Sequence, residues 1–240
     1  MNPKEQVSIY YRVWTMAWVV SILTTLAAST LIAARLAGFV VAPHHVLTRM
    51  ASAGFLVTAA TSGGWQRRFG AFLLAGLVCC WLGDLTGERN FTLSGWSFFF
   101  AHLFFIAAFL CRPHDWKRAL VLAPMLLLVS IVLAGVFVPR AEAWDGLLVG
   151  AYITAITAMV IMGAAASAGK RGWILLLAAV LFYVSDIFVA RWRFGSGGSM
   201  NGIFCYPLYY TSCLLFAAAP RILGDGLSLG AVGRNTGYKT

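Results

Sequence analysis

Two aspartates, Asp84 and Asp186, lie within long apolar stretches of the sequence. An unpaired charge in an apolar environment is costly, so each acid needs a structural or chemical reason to be there. A buried carboxylic acid beside a second carboxylate can keep a proton near neutral pH, which would place a general acid next to a general base. The alternative is that each Asp caps a helix end or pairs with Arg89, Arg191 or Arg193.

A few other polar side chains could act together with these acids. His102 could orient a carboxylate or hold a polar head group, although a lone His in an apolar helix is more often a packing residue. The candidates for binding a substrate are Arg49, Asn201, Tyr206, Tyr209 and Tyr210. Tyrosines at such positions are also common at membrane interfaces. Taken alone, these residues leave both interpretations open.

Several catalytic motifs are absent from the sequence. It has no nucleotide-binding glycine loop, no Gly-x-Ser-x-Gly elbow and no His-Glu-x-x-His motif. The five cysteines (Cys79, Cys80, Cys111, Cys205 and Cys213) lack the spacing of a metal site or a disulfide framework, so we expect them to be small buried hydrophobic residues. We therefore expect no metal and no cofactor.

The elements that must position the acids are membrane helices. The chain has 240 residues, of which 60% are hydrophobic and 11% are charged, and a soluble domain of this size needs a more polar surface. Apolar stretches recur at lengths near the roughly 20 residues that a helix needs to cross a bilayer. They lack the alternation of a transmembrane barrel strand.

The sequence predicts an all-α integral membrane bundle of about eight transmembrane helices. Charged and Gly/Pro-rich segments separate the stretches, which we place at roughly 13–33, 46–62, 71–87, 95–111, 119–138, 146–168, 173–190 and 202–219. We expect one membrane domain over residues 1–223. Residues 224–240 are polar and lack periodicity, which predicts a flexible cytoplasmic tail.

Basic residues indicate how the chain is oriented. Of its 18 Lys and Arg residues, six fall on one side of the predicted helices: Arg35, Arg49, Arg89, Arg140, Arg191 and Arg193. The other twelve fall on the opposite side, which the positive-inside tendency assigns to the cytoplasm together with both termini. We expect a multi-pass protein of the cell (inner) membrane. The third and seventh helices then both run outward, so Asp84 and Asp186 lie at a similar depth near their outer ends.

Two blocks of residues resemble a known family, the YhhN-like lysoplasmalogenases. The first block comprises Gly76, Leu77, Leu82, Gly83, Asp84, Gly95, Phe99, His102 and Phe109, and the second comprises Ser185, Asp186, Phe194, Tyr209 and Tyr210. This chain departs from the usual pattern in two places. It has Arg49-Met50 where the family usually carries Lys-Pro, and Cys213 where the family has an amide or similar polar residue.

The resemblance implies hydrolysis of the vinyl ether bond of a lysoplasmalogen, which gives a fatty aldehyde and a glycerophospho-base. Such cleavage needs a proton delivered to carbon, a stabilised oxocarbenium ion and an attacking water. We expect Asp84 to be the acid, Asp186 the base and His102 the residue that orients them. The expected partners are a lysophospholipid substrate and membrane lipid, and no nucleic acid.

Three other functions remain compatible with the sequence. A transporter or lipid-binding protein could use the two acids as a proton or cation site. A structural protein could use them as polar contacts between helices. An intramembrane aspartyl protease also has two membrane aspartates, but its usual Tyr-Asp and Gly-x-Gly-Asp pattern is not matched here, which makes this the least favoured alternative.

Overall fold

The structure, a computed structural model, describes residues 3–195 and 198–224. This part of the chain contains eight α-helices and no strand. The helices are α1 (Pro3–Leu36), α2 (His44–Ser62), α3 (Arg68–Thr86), α4 (Phe91–Leu110), α5 (Trp116–Phe137), α6 (Ala143–Ala165), α7 (Trp173–Phe194) and α8 (Met200–Ile222). The proposed tail falls almost entirely on residues 225–240, which lie outside the described residues.

The eight helices correspond in order to the eight predicted stretches. Within the described residues, seven of them are long and apolar enough to cross a membrane, as in a multi-pass membrane protein. The helix α5 exposes Leu120, Val121 and Ile131, the side chains expected on a lipid-facing surface. The main difference in length is at α1, which begins at Pro3, well before the apolar stretch. Hydropathy finds the apolar part of a helix but not its polar extension.

The helix α2 is the exception among the eight because much of its inner face is polar. Ser21 Oγ on α1 lies 2.8 Å from Thr58 Oγ1 on α2, and Thr25 Oγ1 donates a hydrogen bond of 3.1 Å to the Ala51 carbonyl. Gly54 lets the two backbones approach, since a Cβ there would lie 2.1 Å from the Thr25 hydroxyl. Polar side chains on α2 are therefore satisfied against α1 and need no lipid contact.

Five helices form a closed ring around the centre of the bundle. In the ring α3 packs against α4, α4 against α6, α6 against α7, α7 against α8, and α8 against α3. The helices α1 and α2 pack on the α8 side, and α5 packs on α6. Asp84 and Asp186 lie on α3 and α7, two members of the ring that share no extensive contact, so the space between them remains open.

Two glycines bring α3 close to α4 inside this ring. Phe98 and Phe105 on α4 lie over Gly83 and Gly76 on α3, where a Cβ would approach the rings to 2.6 and 2.5 Å. Both pairs are seven residues apart, so they recur on the same helix faces. This packing places the Phe98 ring and His102, one turn further along α4, beside the end of α3 that carries Asp84.

Candidate active site

Asp84 and Asp186 line one cavity of about 580 Å³ that extends from the ring to α5 and to the start of α2. Its walls are mainly apolar and include Leu133 and Phe137 from α5 and Ile153 from α6. A volume of this size is typical of a site for a small organic ligand. The structure thus brings the two predicted acids to the same cavity, although they are 102 positions apart in the sequence.

Asp84 is surrounded by hydroxyl groups. Its Oδ2 accepts a hydrogen bond from Ser52 on α2 and another of 3.1 Å from Tyr209 on α8. The Tyr210 hydroxyl lies 3.4 Å from the same oxygen and 3.5 Å from the Thr48 carbonyl, so its single proton is shared between two acceptors. All three donors converge on Oδ2, which leaves Oδ1 available to a ligand or a proton.

Asp186 has a different environment, made of one histidine, one tyrosine and the Ser185 hydroxyl, which lies 3.5 Å from Oδ1. Its Oδ2 accepts a hydrogen bond of 2.7 Å from the Tyr152 hydroxyl on α6. His102 Nε2 lies 3.5 Å from the same oxygen, which is a close contact but too long for a strong hydrogen bond. The His102 side chain is fully buried, whereas the Asp186 side chain is 16% exposed toward the cavity. His102 Nε2 therefore faces Asp186 without a strong hydrogen bond.

The other nitrogen of His102 fixes the orientation of the ring. Nδ1 lies 2.5 Å from the Phe98 carbonyl, and since a carbonyl only accepts, Nδ1 must carry a hydrogen. Nε2 has no hydrogen-bond partner although it is buried. The imidazole ring is held between Tyr152 and Phe182, each with a centroid distance of 4.9 Å. The free nitrogen is thus fixed facing Asp186, as a residue that exchanges a proton requires.

In the described part of the chain, neither acid pairs with an arginine, which the sequence had left open. The Arg193 guanidinium instead lies over the Phe91 ring, 5.0 Å from its centroid. Asp84 follows Gly83 one turn before the end of α3 and does not cap a helix start. The interpretation of the acids as simple interfacial ion pairs therefore does not describe this structure.

The predicted substrate-binding residues separate into two groups. Tyr206 and Tyr209 line the large cavity, and the Tyr206 hydroxyl lies 2.9 Å from His44 Nε2. Tyr210 is fully buried behind Asp84. Asn201 is buried at the start of α8, where its Nδ2 lies 3.5 Å from the Gly198 carbonyl, and it is not among the residues that line the described cavities.

A second, smaller cavity of about 220 Å³ adjoins the first. It is the one that contains Arg49, and its lining is mostly polar. Thr48, Asp84 and Glu88 line both cavities, so the two spaces meet at Asp84. An apolar space and a polar space thus share one carboxylate at their junction.

Two residues of the site, Ser52 and Tyr152, were not predicted from the sequence. Ser52 is one of several small hydroxyl residues on α2, and sequence alone does not show which of them faces an acid. Tyr152 had a detectable signal, because it is the one tyrosine of α6 and lies well inside an apolar helix. Its depth could have been matched to that of Asp186.

The cysteine prediction is correct for some positions and wrong for others. Cys80, Cys205 and Cys213 are buried, whereas Cys111 is exposed at the end of α4 because the helix stops there. Cys79 is only partly buried. Within the described residues, no group of three or more His, Cys, Asp or Glu side chains is placed to hold a metal ion.

Comparison with known proteins gives one match. The YhhN family matches residues 44–219, which include α2 to most of α8 and therefore both acids, His102 and the tyrosines. No curated protein and no solved structure matches the chain. Because the match extends over most of the sequence, the chain belongs to the YhhN family, which is the lysoplasmalogenase family.

Proposed function

We propose that the protein hydrolyses the vinyl ether bond of lysoplasmalogens, using Asp84 and Asp186 as an acid–base pair. The observation that carries the proposal is the single cavity that both carboxylates line. Its apolar walls suit one alkenyl chain, and its polar groups gather where the vinyl ether of such a lipid would lie. Family membership supports a membrane hydrolase of this kind.

The reaction needs a proton on carbon first. Asp84 donates its proton to C2′ of the alkenyl chain, so positive charge develops on C1′ and the ether oxygen. Asp186 takes a proton from water as the water oxygen bonds to C1′, which gives a hemiacetal. Asp186 then protonates the glycerol oxygen as its bond to C1′ breaks, and Asp84 recovers a proton from the hemiacetal hydroxyl. A fatty aldehyde and a glycerophospho-base leave.

The surroundings of the two acids support this division of roles. Asp186 accepts a hydrogen bond from Tyr152 on Oδ2 and a longer one from Ser185 on Oδ1, so both oxygens of its anionic form have a donor. The described partners of Asp84 are neutral hydroxyls on Oδ2 alone. Asp84 is therefore the better holder of a proton, on Oδ1. The ionised Asp186 stabilises the oxocarbenium ion by charge.

The same proposal includes the orientation in the membrane. We place both termini in the cytoplasm on the basis of the charge distribution, with α2 crossing inside the bundle as the eighth span. The Asp-bearing ends of α3 and α7 then face the outer leaflet. A single-tailed lipid would reach the cavity from that leaflet.

The test uses purified full-length protein in detergent with 1-alkenyl-glycerophosphoethanolamine. We expect release of fatty aldehyde, and in D₂O the aldehyde should carry one deuterium on the carbon next to the carbonyl. The matched control is the 1-alkyl ether of the same chain length. It lacks the double bond and cannot be protonated on carbon, so it should not be cleaved.

Two results would contradict the proposal. The first is the absence of aldehyde under conditions where the protein is folded and binds the lipid, which would favour a transport or lipid-binding role. The second is cleavage of the alkyl ether at a similar rate, which would mean that the bond is broken without carbon protonation.

A further inference from the structure

The smaller cavity has charged walls that the proposed chemistry does not use. Its lining includes His45, Arg49, Glu88 and Arg89, in addition to Asp84 at its inner end. In the part of the chain that the structure describes, the guanidinium groups of Arg49 and Arg89 form no salt bridge and no side-chain hydrogen bond, although each offers five N–H donors. These donors are therefore available to a ligand that enters the cavity.

One face of α2 connects this cavity to the catalytic acid. His45, Thr48, Arg49 and Ser52 follow the spacing i, i+3, i+4 and i+7, which places them on the same side of the helix. Ser52 donates a hydrogen bond to Asp84 at one end of this face. Arg49 lies one turn away from Ser52, about 4.5 Å along the axis. The contact at Asp84 thus fixes Arg49 at a short, defined distance from the acid.

The end of α3 supplies the opposite wall. Glu88 and Arg89 follow Asp84 by four and five residues, in the turn after α3, which corresponds to roughly 6 to 8 Å of helix rise. In a lysoplasmalogen, six bonds separate the vinyl carbon C1′ from the phosphorus atom. At about 1.5 Å each, these bonds extend to at most roughly 8 Å. The charged wall is therefore within reach of a head group whose vinyl ether lies at Asp84.

We propose that the smaller cavity is the head-group site, where Arg49, Arg89 and His45 bind the phosphate and Glu88 binds the amine of a zwitterionic lysolipid. This inference rests on the proposed function for the identity of the lipid. The two arginines are opposite in sign to a phosphate diester, and the glutamate is opposite in sign to an ammonium group. The ligand class is thus a single-tailed lipid with an amine-bearing phosphate head.

The arrangement explains how the enzyme would choose the bond to cut. The tail lies in the apolar cavity, the phosphate lies in the polar cavity, and the bond between them lies at the shared carboxylate. A lipid without a phosphate would occupy the tail cavity but would not be held at its other end by the smaller cavity. Its reactive carbon would then be positioned less often at Asp84.

The experiment compares two substrates with the same alkenyl chain in maltoside micelles, which contain no phosphate. One is 1-alkenyl-glycerophosphoethanolamine and the other is 1-alkenylglycerol. Each of Arg49→Gln and Arg89→Gln should raise KM for the phospholipid about tenfold with little change in kcat, because charge-assisted hydrogen bonds to phosphate are lost. Neither variant should change kcat/KM for 1-alkenylglycerol.

The matched control is Arg140→Gln. Arg140 lies at the same end of the bundle, after α5, where its guanidinium donates to the Val136 carbonyl and does not line either cavity. This variant should leave both substrates unaffected. Glu88→Gln should weaken the binding of the ethanolamine substrate. It should not weaken the binding of 1-alkenylglycerol phosphate, which has no amine.

The inference is overturned if the double variant of Arg49 and Arg89 lowers kcat/KM by the same factor for both substrates. It is equally overturned if kcat/KM is unchanged for both. It is also overturned if inorganic phosphate protects the protein against thermal unfolding as strongly as the lysophospholipid does, since the site would then be one for free phosphate.

A failure of the proposed function would give a different result, with no aldehyde from either substrate in the unaltered protein. The head-group site is then decided by binding alone. In that measurement 1-alkyl-glycerophosphoethanolamine should bind more tightly than 1-alkylglycerol, and the arginine variants should remove the difference. Equal affinities in the unaltered protein would reject the site.

Discussion

The two carboxylates of the cavity are held by opposite kinds of wall. The Asp84 wall, formed by α2, α3 and α8, supplies three hydroxyl groups that converge on one oxygen. The Asp186 wall, formed by α4, α6 and α7, supplies one tyrosine, one distant serine hydroxyl and a buried histidine with a free nitrogen. Two identical side chains thus have different partners. This difference would make Asp84 the acid and Asp186 the base.

The comparison also shows which wall can adapt. Three hydroxyls around Asp84 can rotate their protons to suit either charge state of the acid, because a hydroxyl both donates and accepts. On the other wall, His102 is fixed by the Phe98 carbonyl and by two aromatic neighbours. We therefore expect the Asp186 wall to be the more sensitive to small changes.

The largest effect should come from removing either acid. Asp84→Asn and Asp186→Asn should each lower kcat for aldehyde release by about a thousandfold or more, since general acid and base groups contribute roughly 10²–10⁴ each. The control is Asp145→Asn, because Asp145 accepts a hydrogen bond from Thr92 at 2.9 Å and an amide oxygen can accept the same bond. Undiminished turnover in either site variant would remove that acid from the mechanism.

His102 should come next, and two substitutions separate its two nitrogens. His102→Gln can place a polar group near the position of Nε2, and His102→Asn near that of Nδ1. If Nε2 supports Asp186 through a hydrogen bond, the Asn variant should lose about a hundredfold in kcat and the Gln variant only about tenfold. Equal losses would mean that the imidazole acts only as packing, and size-exclusion profiles of both variants would check folding.

Removing a single tyrosine hydroxyl from each wall should give smaller losses of kcat, and the two losses should differ. Tyr152→Phe removes the shortest hydrogen bond of Asp186, at 2.7 Å, whereas Tyr209→Phe removes one of three at Asp84. We expect kcat to fall about tenfold for the first and about threefold for the second, as for hydrogen bonds to a charged group shared among more donors. Tyr11→Phe is the control, because Tyr11 is exposed on α1 and lines neither cavity. The reverse order would contradict the comparison of the walls.

The smallest effect on chemistry, but a visible one on stability, concerns the packing that positions Asp84. Gly83→Ala would bring a Cβ to 2.6 Å from the Phe98 ring and should destabilise the protein by about 1–3 kcal/mol. Gly150→Ala, with nothing within 4 Å, should be neutral or stabilising by roughly 0.5–1 kcal/mol. Thermal unfolding in detergent would measure both. A neutral Gly83→Ala would show that α3 and α4 need no such close approach.

Much of the fold follows from the sequence because hydropathy acts at the scale of whole helices. All eight stretches are helices in the structure, since lipid forces the backbone to satisfy its own hydrogen bonds. The helix α2 was harder to interpret because its polar side chains face α1, so composition and burial do not coincide there. The start of α1 at Pro3 was missed because polar residues can extend a helix beyond the apolar stretch.

The sequence predicts only those site residues whose side chains are costly to bury in an apolar stretch. Asp84, Asp186 and His102 stood out because ionisable groups are rare in apolar stretches. Ser52 did not, because a serine is ordinary in a membrane helix and its meaning depends on which face meets Asp84. Arg89 was noticed as a basic residue of a loop, but its place in the wall of a cavity depends on how α3 ends beside α2.

The most direct test of the paired acids is a cryo-EM structure of the full-length protein with bound 1-alkyl-glycerophosphoethanolamine, the ether that cannot be protonated on carbon. We predict density for the tail in the 580 Å³ cavity, with the ether oxygen and its first chain carbons between Asp84 and Asp186. A lipid bound outside this cavity, or one whose ether lies out of reach of either carboxylate, would contradict the shared acid–base mechanism.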